Sequence, residues 1–378
     1  MRFELISNIG RLKALQSQWM ALLSQTAAND FFLLPQWVTA WWSAFSNDKS
    51  LFVVAAWKKE RLCGLFPLIK MRKGPFRVIS FAGLPRAGRM DFILVDDDRR
   101  EILSEFVEWI FNRNDWDLLS LRAFGPFSQN PSELERVLGA IGKYRTFTKE
   151  DVSYFIPMSN YEDFDQYFSH TRSRKTRKAF RRRKRKLIKE HRAQWTITKR
   201  LNDTLIDEMA DLDKNRSLRG EDERSFFSET QNMVFLKALA HELAHEDMIR
   251  AVCLYVDGRL CAFDLLFLYV GNTLSYQTAF DRSLNHFGAG NLTLLESLQF
   301  AFVNKMKTYD FLSGDDRYKS KWAQDYHQNW RLQVYRQGPR SLVLYFYHRT
   351  IKPLRRRMRR FSAIQNLLPR KLRSRLDI

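Results

Sequence analysis

Apolar positions recur along this chain with two periods, and the order in which the periods alternate is the first information it gives. A short alternating run, Phe3 to Ile9, predicts a strand, and Arg11 to Gln25 puts Leu12, Leu15, Trp19 and Leu22 on one helical face. A second helix starts near Pro35 and carries Trp37, Ala40, Trp41 and Phe45. Three β-rich runs follow, Leu51 to Trp57, Arg61 to Met71 and Phe76 to Ala82. A helix from Asp98 to Asn112, a strand from Asp117 to Leu121, a helix from Pro131 to Ile141 and a strand near Tyr144 to Thr148 complete the first half.

The second half repeats this order. A strand, Trp195 to Lys199, precedes helices Asp203 to Ser217 and Arg224 to His245. Strands Ile249 to Val256, Arg259 to Val270 and Thr273 to Phe280 are joined by Asp257-Gly258 and Gly271-Asn272, both suited to two-residue hairpin turns. A glycine-bearing loop, Phe287 to Gly290, opens a helix Asn291 to Lys305. A strand Thr308 to Leu312, a short helix from Arg317 and a strand Trp330 to Arg336 follow. Both halves read β-α-α-β-β-β-α-β-α-β, a period of about 170 residues that excludes a solenoid. The fold class expected is α+β with a mixed sheet. It comprises a first unit at 1–150, a second at 151–345 and a basic tail at 346–378.

Composition changes this picture in one respect. The 378 residues carry a formal net charge of +21, and the charge is local. Arg172 to Arg192 holds thirteen Lys or Arg against Glu190, and Arg349 to Ile378 holds eleven against Asp377. The rest is close to neutral, so the basicity is a property of two segments. From Pro353 the second can form an amphipathic helix, Leu354, Met358, Phe361, Ile364 and Leu368 against Arg355 to Arg360, suited to an anionic membrane surface through 353–375. Cys63, Cys253 and Cys261 have neither metal nor disulfide spacing, and the apolar run Leu260 to Val270 is too short for a bilayer and contains Asp264. A cytoplasmic protein, peripheral at the inner membrane face, is expected.

His241-Glu242-Leu243-Ala244-His245 matches the zincin pattern H-E-x-x-H. The third ligand such a site needs is missing at the spacings known for it, and Asp247 to Arg250 runs straight into a strand. No metal is expected, and the histidines suit a helix carboxyl end.

The element order resembles the GNAT acyltransferase superfamily. Two such units in one chain resemble its FemXAB branch, and the wording is similar to the CelD/BcsL-type acetyltransferases of bacterial polysaccharide clusters. The residues that carry this are Phe31 to Trp37 with Trp41-Trp42, the basic helix, Gly258 with Ala262-Phe263, Ala279-Phe280-Asp281 and, most specifically, Asp310 to Trp322. The resemblance implies acyl transfer from acetyl-CoA or another acyl-CoA to an amine or hydroxyl of a polysaccharide or cell-envelope precursor. The alternatives are aminoacyl-tRNA-dependent ligation and a non-catalytic basic binding module; DNA is not an expected partner.

Gly288, Ala289, Gly290 and Asn291 fall where the cofactor pyrophosphate rests on backbone N–H groups at a helix start. The first half has its glycines, at Gly83 to Gly88, well before its helix, which suits a unit without cofactor. By resemblance Lys319 is a cationic contact to substrate or transition state, and Trp322 of the same motif is a candidate substrate-binding residue. Asp281 is a candidate base, with turn capping as its competing role, and Tyr318 a candidate acid. Arg174, Arg177 and Arg181 are candidates for a substrate phosphate, whether of a nucleotide sugar, a lipid pyrophosphate, a membrane surface or tRNA. Asp315 and Asp316 suit a helix amino terminus.

Overall fold

The computed structural model describes residues 1–125, 128–141, 143–217, 225–314 and 318–351; the tail from 352, the pair Asp315-Asp316 and Arg317 lie outside them. Its first half runs β1 (Arg2–Ile6), α1 (Ile9–Ala14), α2 (Gln16–Ser24), α3 (Pro35–Phe45), β2 (Lys49–Leu51) and β3 (Val53–Lys58). It continues with β4 (Arg61–Phe66), β5 (Leu68–Lys73), β6 (Phe76–Phe81), β7 (Ile93–Leu94), α4 (Arg99–Phe111), β8 (Leu118–Phe124), α5 (Asn130–Ala140) and β9 (Arg145–Pro157). The second half runs α6 (Phe164–Thr171), α7 (Arg174–Glu190), β10 (Ala193–Thr198), α8 (Asp203–Ser217), α9 (Thr230–Glu242), β11 (Ile249–Val256) and β12 (Arg259–Tyr269). Then come β13 (Asn272–Phe280), α10 (Ala289–Val303), β14 (Thr308–Ser313), α11 (Lys319–Trp322), β15 (Asp325–Tyr335) and α12 (Pro339–Phe346).

Local chemistry explains most boundaries. Pro35 starts α3, where a missing N–H costs nothing. Ser173 caps α7 by accepting from Thr176 N at 3.2 Å. The hairpin turn Asp257-Gly258 has positive φ at both residues, 51° and 80°, as a type I′ turn requires. The next turn lies one residue earlier than expected, at Val270-Gly271, with φ of 47° and 79°. Pairing of Tyr269 with Asn272 fixes it there, and an exposed valine takes the strained position. Helix α6, which the sequence pattern had not revealed, is capped by Asp163.

The two halves share one sheet. Eleven strands pair in the order β10-β11-β12-β13-β14-β9-β15-β8-β6-β5-β2, and β1-β3-β4-β7 form a second sheet. The break drawn at residue 150 falls inside β9. Residues Ser153 to Pro157 of this strand pair antiparallel with β14, closing the second unit's sheet. Strand β15, expected to end the second unit, instead pairs Trp330 to Tyr335 with β8 of the first. Each unit thus lends its last strand to the other, and β15 lies between β8 and β9. The apolar core crosses as well: Phe31 stacks on Phe267 at 4.4 Å between centroids, and Trp37 meets Phe235 edge-on at 4.9 Å. Arg89, 14% exposed in its side chain, donates to Asp30 and to Asp310, each at 2.5 Å. Burial alone would lower the Arg89 pKa, but the two carboxylates overcome it and raise it. Of the described helices, none is long and apolar enough to cross a membrane.

Candidate active site

Strands β13 and β14 run parallel but hold together for only three pairs, Asn272 with Thr308, Thr273 with Tyr309 and Leu274 with Asp310. The second edge of β14 is taken by β9, which draws it away. One residue further along, β13 has a bulge. Ser275 faces Leu266 and Gln277 faces Leu265, so Tyr276 is the extra residue. Past that point the strands diverge around a cavity of about 580 Å³. Its sides are Tyr276 to Phe280 on β13 and Phe311 to Ser313 on β14, with Asp264 of β12 at its floor.

The amino end of α10 closes one side through Gly288, Gly290 and Asn291. The two glycines are required for different reasons. Gly288, the residue before the helix, is left-handed with φ 73° and ψ 40°. At Gly290, in the first turn of α10, an added Cβ would lie 2.8 Å from Cδ1 of Phe280, so glycine lets the helix start sit against that ring. Arg183 of α7 reaches the same place, its Nη1 3.6 Å from where a Gly288 Cβ would stand. A cradle of glycine backbone, helix start and guanidinium fits a diphosphate. Ala289 is fully buried under it.

Lys319 and Tyr318 face the cavity from its other side. Lys319 is 6% exposed and its Nζ donates to Ser313 O at 2.9 Å. Ser313 is fixed in turn: its hydroxyl donates to Gly88 O of the first unit at 3.0 Å and accepts from Asn329 Nδ2 at 3.1 Å. The Tyr318 ring meets Phe311 edge-on at 6.3 Å. Trp322 packs behind this wall. Its Nε1 donates to Asn291 Oδ1 at 3.2 Å, its carbonyl accepts from Tyr167 Oη at 2.8 Å, and the Arg172 guanidinium lies 4.2 Å from its ring centre. Trp322 therefore ties the Lys319 helix to the glycine loop.

Asp281 is placed differently. Its Oδ1 accepts from Ser283 N at 2.9 Å and caps a single turn, Arg282–Leu284, outside the cavity lining. The three arginines do not converge on Lys319 either. Arg174 is exposed at the start of α7, Arg177 is half-buried, and Arg181 lines a separate groove of about 440 Å³ between α6, α7 and α10. Helix α9 ends at Glu242 with Leu243 as its cap, so His245 lies beyond it and the i, i+4 spacing of a zinc-binding helix is lost. No group of three or more metal-ligating side chains occurs among the described residues.

The residue that the sequence pattern passed over is Asp264. It is 2% exposed, and the groups that bond to it are neutral hydroxyls: Ser275 Oγ donates to Oδ1 at 2.8 Å and Tyr309 Oη to Oδ2 at 2.6 Å, with Ser297 close by. Burial pushes its carboxyl above the usual range, against the lowering effect of hydrogen bonds from Tyr309, Ser297 and Ser275. A lone acid inside the run Leu260 to Val270 is the signal that could have marked it.

A family model described as an acetyltransferase (GNAT) domain matches residues 174–320. Among solved structures, FemX is similar with a TM-score of 0.60 at 11% identity, over 88% of this chain and 97% of that one. A tandem GNAT protein from the clavulanic acid biosynthesis pathway matches at 0.50 and 11% identity, over 89% and 99%. A C-terminal domain ascribed to a lysylphosphatidylglycerol synthetase of Agrobacterium fabrum matches at 0.52 and 10% identity, over 88% and 95%. No curated protein sequence matches the chain. The open parallel pair and the glycine-started helix lie within the stretch that the GNAT acetyltransferase model matches, and the fold of the chain is similar to that of FemX and of the tandem GNAT protein.

Proposed function

We propose that the second unit catalyses acyl transfer from an acyl-CoA thioester, with acetyl-CoA as the donor, to an amine or hydroxyl of a polysaccharide or cell-envelope precursor. The observation that carries this is the cavity between diverging β13 and β14, which ends at the cradle of Gly288, Gly290 and Arg183. The thioester would supply an activated carbonyl. The backbone at the Tyr276 bulge, which has no partner residue on β12, would offer an N–H to the carbonyl oxygen, where negative charge develops. Lys319, held by Ser313, would bring a positive charge to the same cavity, and Tyr318, which also lines it, would protonate the leaving sulfur. Asp281, engaged in its turn, is left as a capping residue in this scheme.

A second reading is favoured by one observation. The outer face of α7 exposes nine Lys or Arg side chains, from Arg174 to Lys189, close to the same cradle. Such a stripe suits a polyanion, and transfer from a charged tRNA to a membrane-bound or soluble acceptor would use it.

Two measurements test the proposal. A ligand of the native state at about 100 times its Kd raises stability by about 2.7 kcal/mol, so acetyl-CoA should raise the melting temperature and uncharged tRNA should not. Stabilisation by charged tRNA alone would overturn the CoA reading. Lys319→Ala should lower kcat by roughly 10² to 10³-fold, as loss of one preorganised donor does elsewhere. Full activity in that variant at saturating substrates would remove Lys319 from the site.

A further inference from the structure

The floor of the cavity holds a carboxylate in surroundings that make it costly. Transferring an ionised carboxylate from water into a protein interior costs several kcal/mol unless a cation compensates. Ser275 and Tyr309, which bond to Asp264, supply hydroxyl dipoles and no charge. The surrounding wall is apolar at Phe263, Leu294 and Phe311. A side chain needed only to fill this space would be cheaper as asparagine or leucine.

Its position argues for use. Asp264 and Ser275 both line the cavity, at the level where β13 and β14 have just stopped pairing and beside the Tyr276 bulge. Tyr309 does not line it; from the far strand it holds Oδ2 and leaves Oδ1 to the serine. The serine hydroxyl therefore stands between open space and a buried proton acceptor. The titratable groups around the carboxylate are few: Tyr309 on β14, Tyr318 and Lys319 across the cavity, and Cys253 on β11.

We propose that Ser275 and Asp264 form a two-step proton relay, in which Ser275 takes the proton of the attacking amine or hydroxyl while passing its own to Asp264 Oδ1, and Tyr309 positions the carboxylate. This rests on the acyl-transfer reading above. The acceptor's nitrogen or oxygen bonds to the acyl carbon as the carbon–sulfur bond breaks. The acceptor's proton moves to Ser275 Oγ, the Ser275 proton moves to Asp264, and the sulfur leaves with the electron pair of the broken bond. No oxidant or metal is needed. The raised pKa of Asp264 suits this role, because a stronger base pulls a proton further from a weakly acidic acceptor.

The test measures thiol release from acetyl-CoA by the full chain, with an amino sugar as acceptor and with water where none is taken. Asp264→Asn keeps the shape and both hydroxyl contacts. It should lower kcat roughly 100-fold or more, with melting-temperature stabilisation by acetyl-CoA unchanged. The acid limb of the pH–rate profile, where Asp264 must be ionised to act, should vanish in that variant. Ser275→Ala should lose most of kcat and Ser275→Thr, which restores the hydroxyl, should regain it. Tyr309→Phe should move the acid limb with a smaller loss. Wild-type kcat in Asp264→Asn, or a loss confined to KM, overturns the relay alone. An unaltered protein that neither releases thiol nor gains stability from acetyl-CoA sinks the acyl-transfer reading and the relay with it.

Discussion

The two units contain the same opening, and only one of them is open. In the first, β6 and β8 also run parallel for three pairs, Val78 with Leu118, Ile79 with Leu119 and Ser80 with Ser120. Past that point Phe81, Phe92 and Phe124 fill the wedge with centroids 5.3 to 6.0 Å apart, all fully buried. Met90 N donates to Ala123 O across the gap at 2.8 Å. The helices that follow differ as well. Helix α4 is preceded by Asp96, Asp97 and Asp98 and carries Glu101 in its first turn, whereas α10 begins at a left-handed glycine with Arg183 beside it and no acid in that turn. The acids at the start of α4 already hold Arg99 and Lys58 as partners, whereas the start of α10 has a cation beside it and no acid, so an anion is favoured at the second. Topology makes the wedge; the side chains that occupy it, and the charge at its mouth, decide whether it is a site.

The comparison can be broken first at its plug. Phe92→Ala should cost about 3 to 5 kcal/mol of stability, measured by denaturant unfolding, because four rings, Phe66, Phe81, Phe106 and Phe124, lose a common neighbour. It should not give the first unit affinity for acetyl-CoA, since the acids at α4 remain. Two bound equivalents by calorimetry would show that side-chain bulk alone separates the units.

A smaller effect separates the two buried carboxylates. Asp91, beside the plug, accepts from Phe92 N and Asn130 Nδ2, both at 2.7 Å, and burial raises its pKa to about 6 against the lowering effect of hydrogen bonds from Ser128, Asn130 and Phe92. A raised carboxyl pKa means that the folded state holds the proton more tightly. The stabilisation is complete below about pH 4 and is lost as pH rises through 6. Asp91→Asn should therefore be neutral at pH 4 and more stable by up to about 3 kcal/mol at pH 8, with turnover unaffected. Loss of turnover would give the first unit a part in catalysis. Smallest is Gly288→Ala, which should cost about 1 to 2 kcal/mol because a Cβ is strained at φ 73°.

Features set by neighbouring residues were legible. The order of elements, the Asp257-Gly258 turn, and the placing of Gly288 to Asn291 beside a strand end all follow from period and turn chemistry. Tyr318 and Lys319 face the cavity because a strand carrying the motif ends there. Distant pairing was not legible. Nothing near Tyr144 or Trp330 states that β9 and β15 close each other's sheets, since their partners are far away in sequence. Arg89 reads as an ordinary loop cation until the fold brings Asp30 and Asp310 to it. Asp264 was hidden by its neighbours, whose apolar run dominates any period count. Asp281 shows the reverse: an aspartate just past a strand, with serine two residues on, is as good a signal for a capped turn as for a base.

The placing of β15 between β8 and β9 has a consequence for how the chain is made. On the ribosome, β8 and β9 emerge early with α5 between them, and both present unpaired edges. The strand that must slot between them arrives roughly 200 residues later, on the order of 10 to 40 s at ordinary synthesis rates. During that interval the first unit cannot complete its sheet, and the tempting error is for β8 and β9 to pair with each other and shut the slot. The first unit's sheet is thus completed only after the strands that line the second unit's cleft have been made, so cleft and scaffold reach their native form together.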